Sequence, residues 1–192
     1  MRRGLLEALM LAAAAYFLSA CALSGTRPVA PVLFDLGPIS NKVVGPLPEL
    51  QLSEMTTPPW LASTGIAYRL VYQNEFQTHI YRDSRWAAPP AVLLSERLRQ
   101  KLAVNTRDAS SKPVVLRLEL VEFEQRFSSP TQAAVSVSLR ARLGEGWGST
   151  QTFELIKASP SADAVGAVRA FSEASDEILN QVLGWVAGQT KP

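Results

Sequence analysis

The residue with the clearest chemistry in this sequence is Cys21, the only cysteine in 192 residues. A thiol is a strong nucleophile, so this side chain is a candidate for covalent modification. Cys21 directly follows Leu-Ser-Ala at positions 18–20, which closes a short apolar run, and two arginines stand at positions 2 and 3. A charged start, an apolar middle and small residues before a cleavage point predict a signal peptide over residues 1–20. The apolar run is shorter than the roughly 20 residues that a transmembrane helix needs.

The sequence Leu18-Ser19-Ala20-Cys21 is similar to a bacterial lipobox. In that motif the thiol receives a diacylglycerol, and the cysteine becomes the first residue of the mature protein. The alternative interpretation is an ordinary signal peptide with a chance cysteine. Two or three acyl chains such as palmitate give stable anchoring, whereas one chain anchors a protein only marginally. The resemblance to lipoproteins also predicts outer-membrane sorting, facing the periplasm, because residue 22 is alanine rather than aspartate.

Length and charge limit the remaining possibilities. Removal of residues 1–20 leaves 172 residues with a net charge of +1. That length suits one domain, and that charge gives no reason to expect a nucleic-acid partner. Once Cys21 is acylated, no thiol remains for a disulfide, a metal site or catalysis. We therefore predict a signal peptide at 1–20, a lipidated N-terminus and tether at 21–30, and one domain at 31–192.

No other residues form a catalytic or cofactor site at the level of sequence. His79 is the only histidine, and a catalytic base needs a nucleophile and an orienting group that no motif here supplies. There is no Gly-x-Ser-x-Gly sequence and no His/Cys/carboxylate cluster with the spacing of metal ligands. Aspartates and glutamates alternate along predicted strands, as solvated residues do. We predict no catalysis, no cofactor and no metal.

Period-two patterns predict strands, and two stretches have helical spacing. A phase change in the long strand predicts a β-bulge near Leu120–Val121. Residues 73–75 are predicted as a hairpin turn, residues 144–148 as a turn around Trp147, and residues 83–90 as an ordered approach to a helix. The predicted strands are 32–36, 49–55, 65–72, 76–81, 114–127, 135–143 and 150–156.

The two predicted helices are each amphipathic. The first begins at Pro90, places Ala91, Leu94, Leu98 and Leu102 on one face, and ends near residue 105. Three cations of this helix are predicted on its surface: Arg97, Arg99 and Lys101. The second spans about 162–187, and its apolar stripe is predicted to be core rather than a lipid groove. The stripe consists of Val168, Phe171, Ser175, Ile178, Val182 and Trp185. These elements predict a two-layer α+β domain, a mostly antiparallel sheet with both helices packed on one face.

Several segments together resemble the ABC-type transport auxiliary lipoprotein family, whose members are similar to paraquat-inducible protein C. The matching segments are the lipobox at Cys21, the sequence YRDSRWAAP at 81–89, the helix SERLRQKLA at 95–103, the strand end VEFE at 121–124 and the helix AFSEA at 170–174. The Tyr-x-x-x-x-Trp-Ala-x-Pro pattern in the second of these is the most specific.

The resemblance implies a non-enzymatic, lipid-anchored accessory of an ABC transporter whose periplasmic component is an MCE-domain protein. Such systems move lipids or other hydrophobic compounds across the Gram-negative envelope. An alternative is an accessory lipoprotein for lipopolysaccharide or barrel assembly in the outer membrane, and a homo-oligomer is left open. Tyr81 and Trp86 flank the approach to the first helix. Either Trp86 fills the core there, or the pair forms a partner-binding surface, because aromatic residues are enriched at interface hot spots.

Overall fold

The computed structural model describes residues 30–40, 47–105, 113–144 and 148–189, which hold a seven-stranded sheet and two α-helices. A short 3₁₀ turn at Pro59–Leu61 lies between the second and third strands. The strands are β1 (Val32–Phe34), β2 (Leu50–Leu52), β3 (Gly65–Leu70), β4 (Thr78–Trp86), β5 (Val114–Ser129), β6 (Gln132–Leu143) and β7 (Ser149–Ala158). The helices are α1 (Pro90–Asn105) and α2 (Ala164–Gln189).

Strand β5 organises the sheet, whose order is β1-β4-β3-β5-β6-β7 with β2 also paired to β5. One edge of β5 is shared, since its first half pairs with β2 and its second half with β3, both parallel. Its other edge pairs antiparallel with β6 along nearly its whole length. The predicted α+β fold is confirmed, and the three parallel pairings, of which β1 with β4 is the third, make the sheet mixed.

The predicted β-bulge in β5 is confirmed. The register against β6 shifts between Leu120 and Glu122, where the hydrophobic pattern changes phase. The extra residue keeps Leu118, Leu120 and Phe123 buried on the same face of the sheet, although their spacing changes from two to three. The bulge therefore preserves a continuous apolar face toward the helices.

Both helices bury their apolar stripes against that face. Helix α1 contributes Leu94 and Leu98, and the stripe of α2 contributes Phe171, Ile178 and Val182 to the same core. The stripe of α2 is thus core, as predicted. Neither described helix has the length and apolar character needed to cross a membrane.

The structure corrects the predicted exposure of several charges. Arg97 and Lys101 of α1 were expected on the surface, yet they are only 3% and 2% exposed, whereas Arg99 is exposed as predicted. Glu124 of β5 was expected to be solvated and is 3% exposed. Each of these buried charges has an ionic partner, which is the condition under which a charge is retained in an interior.

Strand β4 is shifted relative to its prediction. It was predicted to begin at Phe76 and end at Tyr81, but it begins at Thr78 and continues to Trp86. The predicted approach to α1 is therefore strand over its first residues, because β1 pairs with Ser84, Arg85 and Trp86. The predicted turn around Trp147 lies outside the described residues, as does Cys21.

Candidate functional site

A buried ionic cluster joins the two helices. Arg97 of α1 donates from Nε and Nη2 to the two carboxylate oxygens of Asp176 in α2, at 2.9 and 2.8 Å. Lys101, one turn further along α1, places its Nζ 2.9 Å from Asp176 Oδ1 and 3.2 Å from Asn180 Oδ1. We call the group of Arg97, Lys101 and Asp176 the helix clamp. The clamp fixes α1 against α2 through one shared carboxylate.

The helix clamp also holds the segment that follows β1. Arg97 donates to the carbonyl oxygens of residues 36, 37 and 38 at 2.8, 3.1 and 3.2 Å. Lys101 donates to the carbonyl of Ser40 at 3.1 Å, and the Ser40 N–H donates to Asp176 at 2.9 Å. Gly37 turns the chain at a φ of 67°, a conformation that glycine adopts without strain. The chain entering the domain is therefore tied to both helices by charge-assisted hydrogen bonds.

The environment of Asp176 stabilises its charged form. Burial is the largest single influence and on its own raises the pKa of this carboxyl. Hydrogen bonds from Arg97, Lys101 and the Ser40 N–H outweigh burial, so the pKa lies below the ordinary aspartate value. The clamp is accordingly an ion pair of two cations and one carboxylate near neutral pH.

The structure places Trp86 in the core and Tyr81 at a half-buried position. Trp86 is 1% exposed and packs against Phe123 and Phe171, with ring centroids 5.7 and 5.6 Å apart. The Tyr81 hydroxyl donates to Gln125 Oε1 at 2.7 Å, and burial of the phenol is the main cause of its raised pKa. Trp86 thus fills the core before the first helix, which is one of the two roles predicted for it. A partner-binding role for the pair stays a prediction, and within the pair only Tyr81 has accessible surface of any size.

Tyr81 belongs to an aromatic cluster at one end of the sheet. Tyr68 stacks on His79 with centroids 5.1 Å apart, and its centroid lies 4.6 Å from Tyr81 and 5.8 Å from Phe127. Gln125, which accepts from Tyr81, also donates to Ser159 at 3.2 Å just before α2. These contacts brace β3 and β4 against β5 and the start of α2. His79 packs here as an aromatic side chain.

The sheet face away from the helices carries a charged groove of about 410 Å³. Within it, Arg140 Nη1 lies 2.7 Å from Glu119 Oε2, and Arg117 donates to the carbonyl of Gly144 at 2.9 Å. Its lining consists of Ser53, Glu54, Thr56, Arg117, Leu118, Glu119, Arg140, Arg142 and Thr150. The charged ends of these side chains can pair with a polar partner surface. Among the residues that the structure describes, no group of His, Cys, Asp and Glu could hold a metal ion.

The helix clamp is not among the features predicted from the sequence, although the sequence holds a signal for it. Arg97 and Lys101 are four residues apart, and so are Ser172, Asp176 and Asn180 in the other helix. Residues at this spacing lie on one helix face, so the sequence holds a cationic line and a complementary polar line. Both lines directly border the apolar stripes. Matching them would have predicted a buried contact instead of a solvated surface.

Comparisons with known proteins agree with this architecture. A Xanthomonas campestris protein of family DUF330 superposes with a TM-score of 0.70 at 17% identity, covering 82% of this chain and 97% of its own. A second crystal structure, of an uncharacterized protein, gives a TM-score of 0.62 at 16% identity, covering 82% of this chain and 99% of its own. At these identities the likeness shows the fold alone.

In sequence, no curated protein matches the chain. The profile of one family, described as the ABC-type transport auxiliary lipoprotein component, matches residues 38–183. This stretch begins within the segment that the helix clamp holds and ends inside α2, so it contains α1, most of α2 and most of the sheet. The chain belongs to the ABC-type transport auxiliary lipoprotein family.

Proposed function

We propose that this protein is an outer-membrane lipoprotein, anchored through Cys21 and facing the periplasm, that serves an ABC transport system with an MCE-domain component. In this role it binds partner proteins and catalyses no reaction, while the system moves lipids or other hydrophobic compounds. The observation that carries the proposal is the family match over residues 38–183. The lipobox-like sequence ending at Cys21 supplies the anchor.

Two structural features support a scaffold role. The domain has a tightly filled core around Trp86, Phe123 and Phe171, and the groove on its open sheet face is lined by charges. Protein surfaces are recognised by complementary polar groups around a few anchors.

The test is a pull-down of the tagged full-length protein from crosslinked native membranes, with partners identified by mass spectrometry. We expect an MCE-domain protein with its ATPase and permease. A Cys21→Ala form, which has no acceptor for the lipid, serves as the control and should leave the membrane fraction. Recovery of an outer-membrane barrel without transporter subunits would overturn the proposal and favour an assembly accessory instead.

The partner-binding role of Tyr81 is testable in the same experiment. Tyr81→Phe removes the hydroxyl that donates to Gln125 but keeps the ring, whereas Tyr81→Ala removes both. If the ring contacts a partner, Tyr81→Phe retains the recovered proteins and Tyr81→Ala loses them while remaining folded by circular dichroism. Equal recovery with both variants would leave the aromatic cluster a purely structural feature.

A further inference from the structure

The most exposed large hydrophobic side chain among the described residues lies in the turn between β3 and β4. We call residues 71–77 of this turn the hairpin tip. Phe76 is 86% exposed there, and Tyr72, on the same turn, is 42% exposed. Single exposed hydrophobic residues are common, but two aromatic residues at one protruding turn are a patch that a partner could cover.

The hairpin tip is held in a fixed conformation that does not use either ring for packing into the core. The N–H groups of Gln73 and Asn74 both donate to the Leu70 carbonyl at 2.9 Å. Asn74 Oδ1 accepts from the Phe76 N–H at 2.9 Å, and Arg69 donates to the Glu75 carbonyl at 2.7 Å. The turn is thus fully formed by polar contacts, and the exposed aromatic side chains are not needed to form it.

The turns at this end of the domain carry few charges. Leu70 pairs with Phe127, and Ala134 pairs with Ala158, so the β5–β6 turn and the chain after β7 lie at the same end of the sheet as the hairpin tip. Residues 128–133 and 158–162 contain no charged side chain, and the hairpin tip contains only Glu75. The open sheet face, by comparison, is lined with arginines and glutamates. Aromatic, nearly uncharged turns match the composition that proteins place at a membrane–water interface.

The chain enters the first strand from the same side as the hairpin tip. Strand β1 is parallel to β4, with Val32 beside Ser84, so the chain enters β1 from the side on which the hairpin tip lies. From Thr78 to Ser84, β4 spans about 20 Å. The chain between Cys21 and Val32 can extend to about 36–40 Å. The tether is therefore long enough for the hairpin tip to reach the bilayer surface to which Cys21 is attached.

We propose that the hairpin tip, through Phe76 and Tyr72, rests in the interface of the bilayer that holds the acyl chains of Cys21. This inference rests on the lipid anchor of the proposed function. Because the anchor confines the domain to the membrane surface, even a weak insertion is favoured by a high effective concentration. In this contact the charged groove lies toward the other end of β5, β6 and β7, away from the bilayer and available to partner proteins.

The experiment uses the fact that Cys21 is the only cysteine. In the acylated full-length protein, a Gln77→Cys substitution supplies the single free thiol and leaves Phe76 and Tyr72 in place. An environment-sensitive fluorophore on this thiol is read in vesicles of phosphatidylethanolamine and phosphatidylglycerol, with and without brominated lipids. The matched control is Thr150→Cys, an exposed position at the opposite end of β7.

We expect a blue-shifted emission and several-fold stronger quenching by brominated lipid at position 77 than at position 150. Adding Phe76→Ser to the Gln77→Cys protein should remove most of that quenching while the protein still floats with the vesicles. If the protein floats with the vesicles but the label at position 77 shows neither the blue shift nor the stronger quenching, this inference alone is overturned. Protein that does not float overturns the anchor, and the inference with it. Loss of transporter subunits from Phe76→Ser pull-downs, with the label in water, would assign the hairpin tip to a protein partner instead.

Discussion

Arginine–carboxylate pairs lie on both sides of the central sheet, and their burial differs sharply. In the helix clamp, the side chains of Arg97 and Asp176 are 3% and 12% exposed, and both nitrogens of the fork reach the carboxylate. On the open face, the side chains of Arg140 and Glu119 are 49% and 40% exposed and share one contact. The pair distances, 2.8 and 2.7 Å, are nearly equal. Distance alone therefore does not reveal which pair the fold depends on.

The difference follows from what each group would face without its partner. A buried charge that loses its partner keeps the cost of desolvation, whereas an exposed charge returns to water. The helix clamp holds two helices and the entering segment at 36–40, so it connects elements that are distant in sequence. The Arg140–Glu119 pair joins neighbouring strands that are already hydrogen-bonded to each other. We expect the first pair to govern stability and the second to adjust surface charge.

The largest effect is expected from Asp176→Ala. This change leaves Arg97 and Lys101 buried without their shared carboxylate, which should lower the free energy of unfolding by about 3–5 kcal/mol. Urea denaturation followed by circular dichroism measures the loss. Glu119→Ala is the matched control, because it removes a carboxylate from an exposed pair, and equal losses in the two variants would refute the comparison.

A simultaneous replacement sharpens the same point. Arg97→Met, Lys101→Met and Asp176→Leu together remove all three charges and keep similar volume. Buried ion pairs are often replaceable by apolar residues at little cost in stability. The triple variant should therefore unfold at a higher urea concentration than Asp176→Ala. An equal or lower urea concentration would show that the fold depends on the polar contacts to segment 36–40.

Acid should reduce the stabilisation that the charged form of Asp176 gives to the helix clamp. The pKa of Asp176 is lower in the folded chain than its ordinary value of about 3.9. The unfolded chain then takes up a proton first, so this stabilisation is complete above about pH 4 and is lost as the pH falls through the folded pKa. Unfolding free energies measured between neutral pH and pH 3 should fall less steeply in Asp176→Asn than in the wild type. An identical slope in both would show that other carboxyl groups account for the acid sensitivity.

The features predicted correctly from the sequence are those that depend on local patterns. The bulge between Leu120 and Glu122 is visible as a phase change within one strand, and α1 has a proline at its start and apolar residues at helical spacing. Both signals are complete within a few residues. The α+β class follows from the same local patterns, since two amphipathic helices need an apolar sheet face to cover.

The features that were missed depend on partners distant in sequence. Arg97 and Asp176 are 79 positions apart. Because charged residues on helices are mostly exposed to solvent, a buried position is not predicted unless such a distant partner is known. The extension of β4 to Trp86 depends on β1, and the parallel pairings of β5 depend on two strands far upstream. Strand pairing between distant segments leaves little trace in a single sequence.

An intermediate effect is expected from Arg69→Ala on the open face. Glu124 is 3% exposed, and Arg69 donates to both of its oxygens at 2.9 Å, while Arg126 lies further away at 3.8 Å. Losing charge-assisted hydrogen bonds to a buried group should cost about 1.5–3 kcal/mol. Arg69→Lys should recover only part of this, because an ammonium cannot form the bidentate contact. If Arg69→Ala lowered the free energy of unfolding no more than the loss of an exposed pair does, burial of one partner would not be sufficient for an ion pair to stabilise the fold.

The smallest effect is expected from Arg140→Ala, which should change the free energy of unfolding by about 0–1 kcal/mol. A double-mutant cycle with Glu119→Ala isolates the pair, and its coupling should vanish in about 1 M salt, where the screening length falls to roughly 3 Å. The corresponding cycle for Arg97 and Asp176 should keep most of its coupling at that salt concentration, since both side chains are largely shielded from water and ions. If the coupling energies of both cycles fell with salt, the helix clamp would open to solvent in the native state. Its hydrogen bonds to segment 36–40 would then be transient.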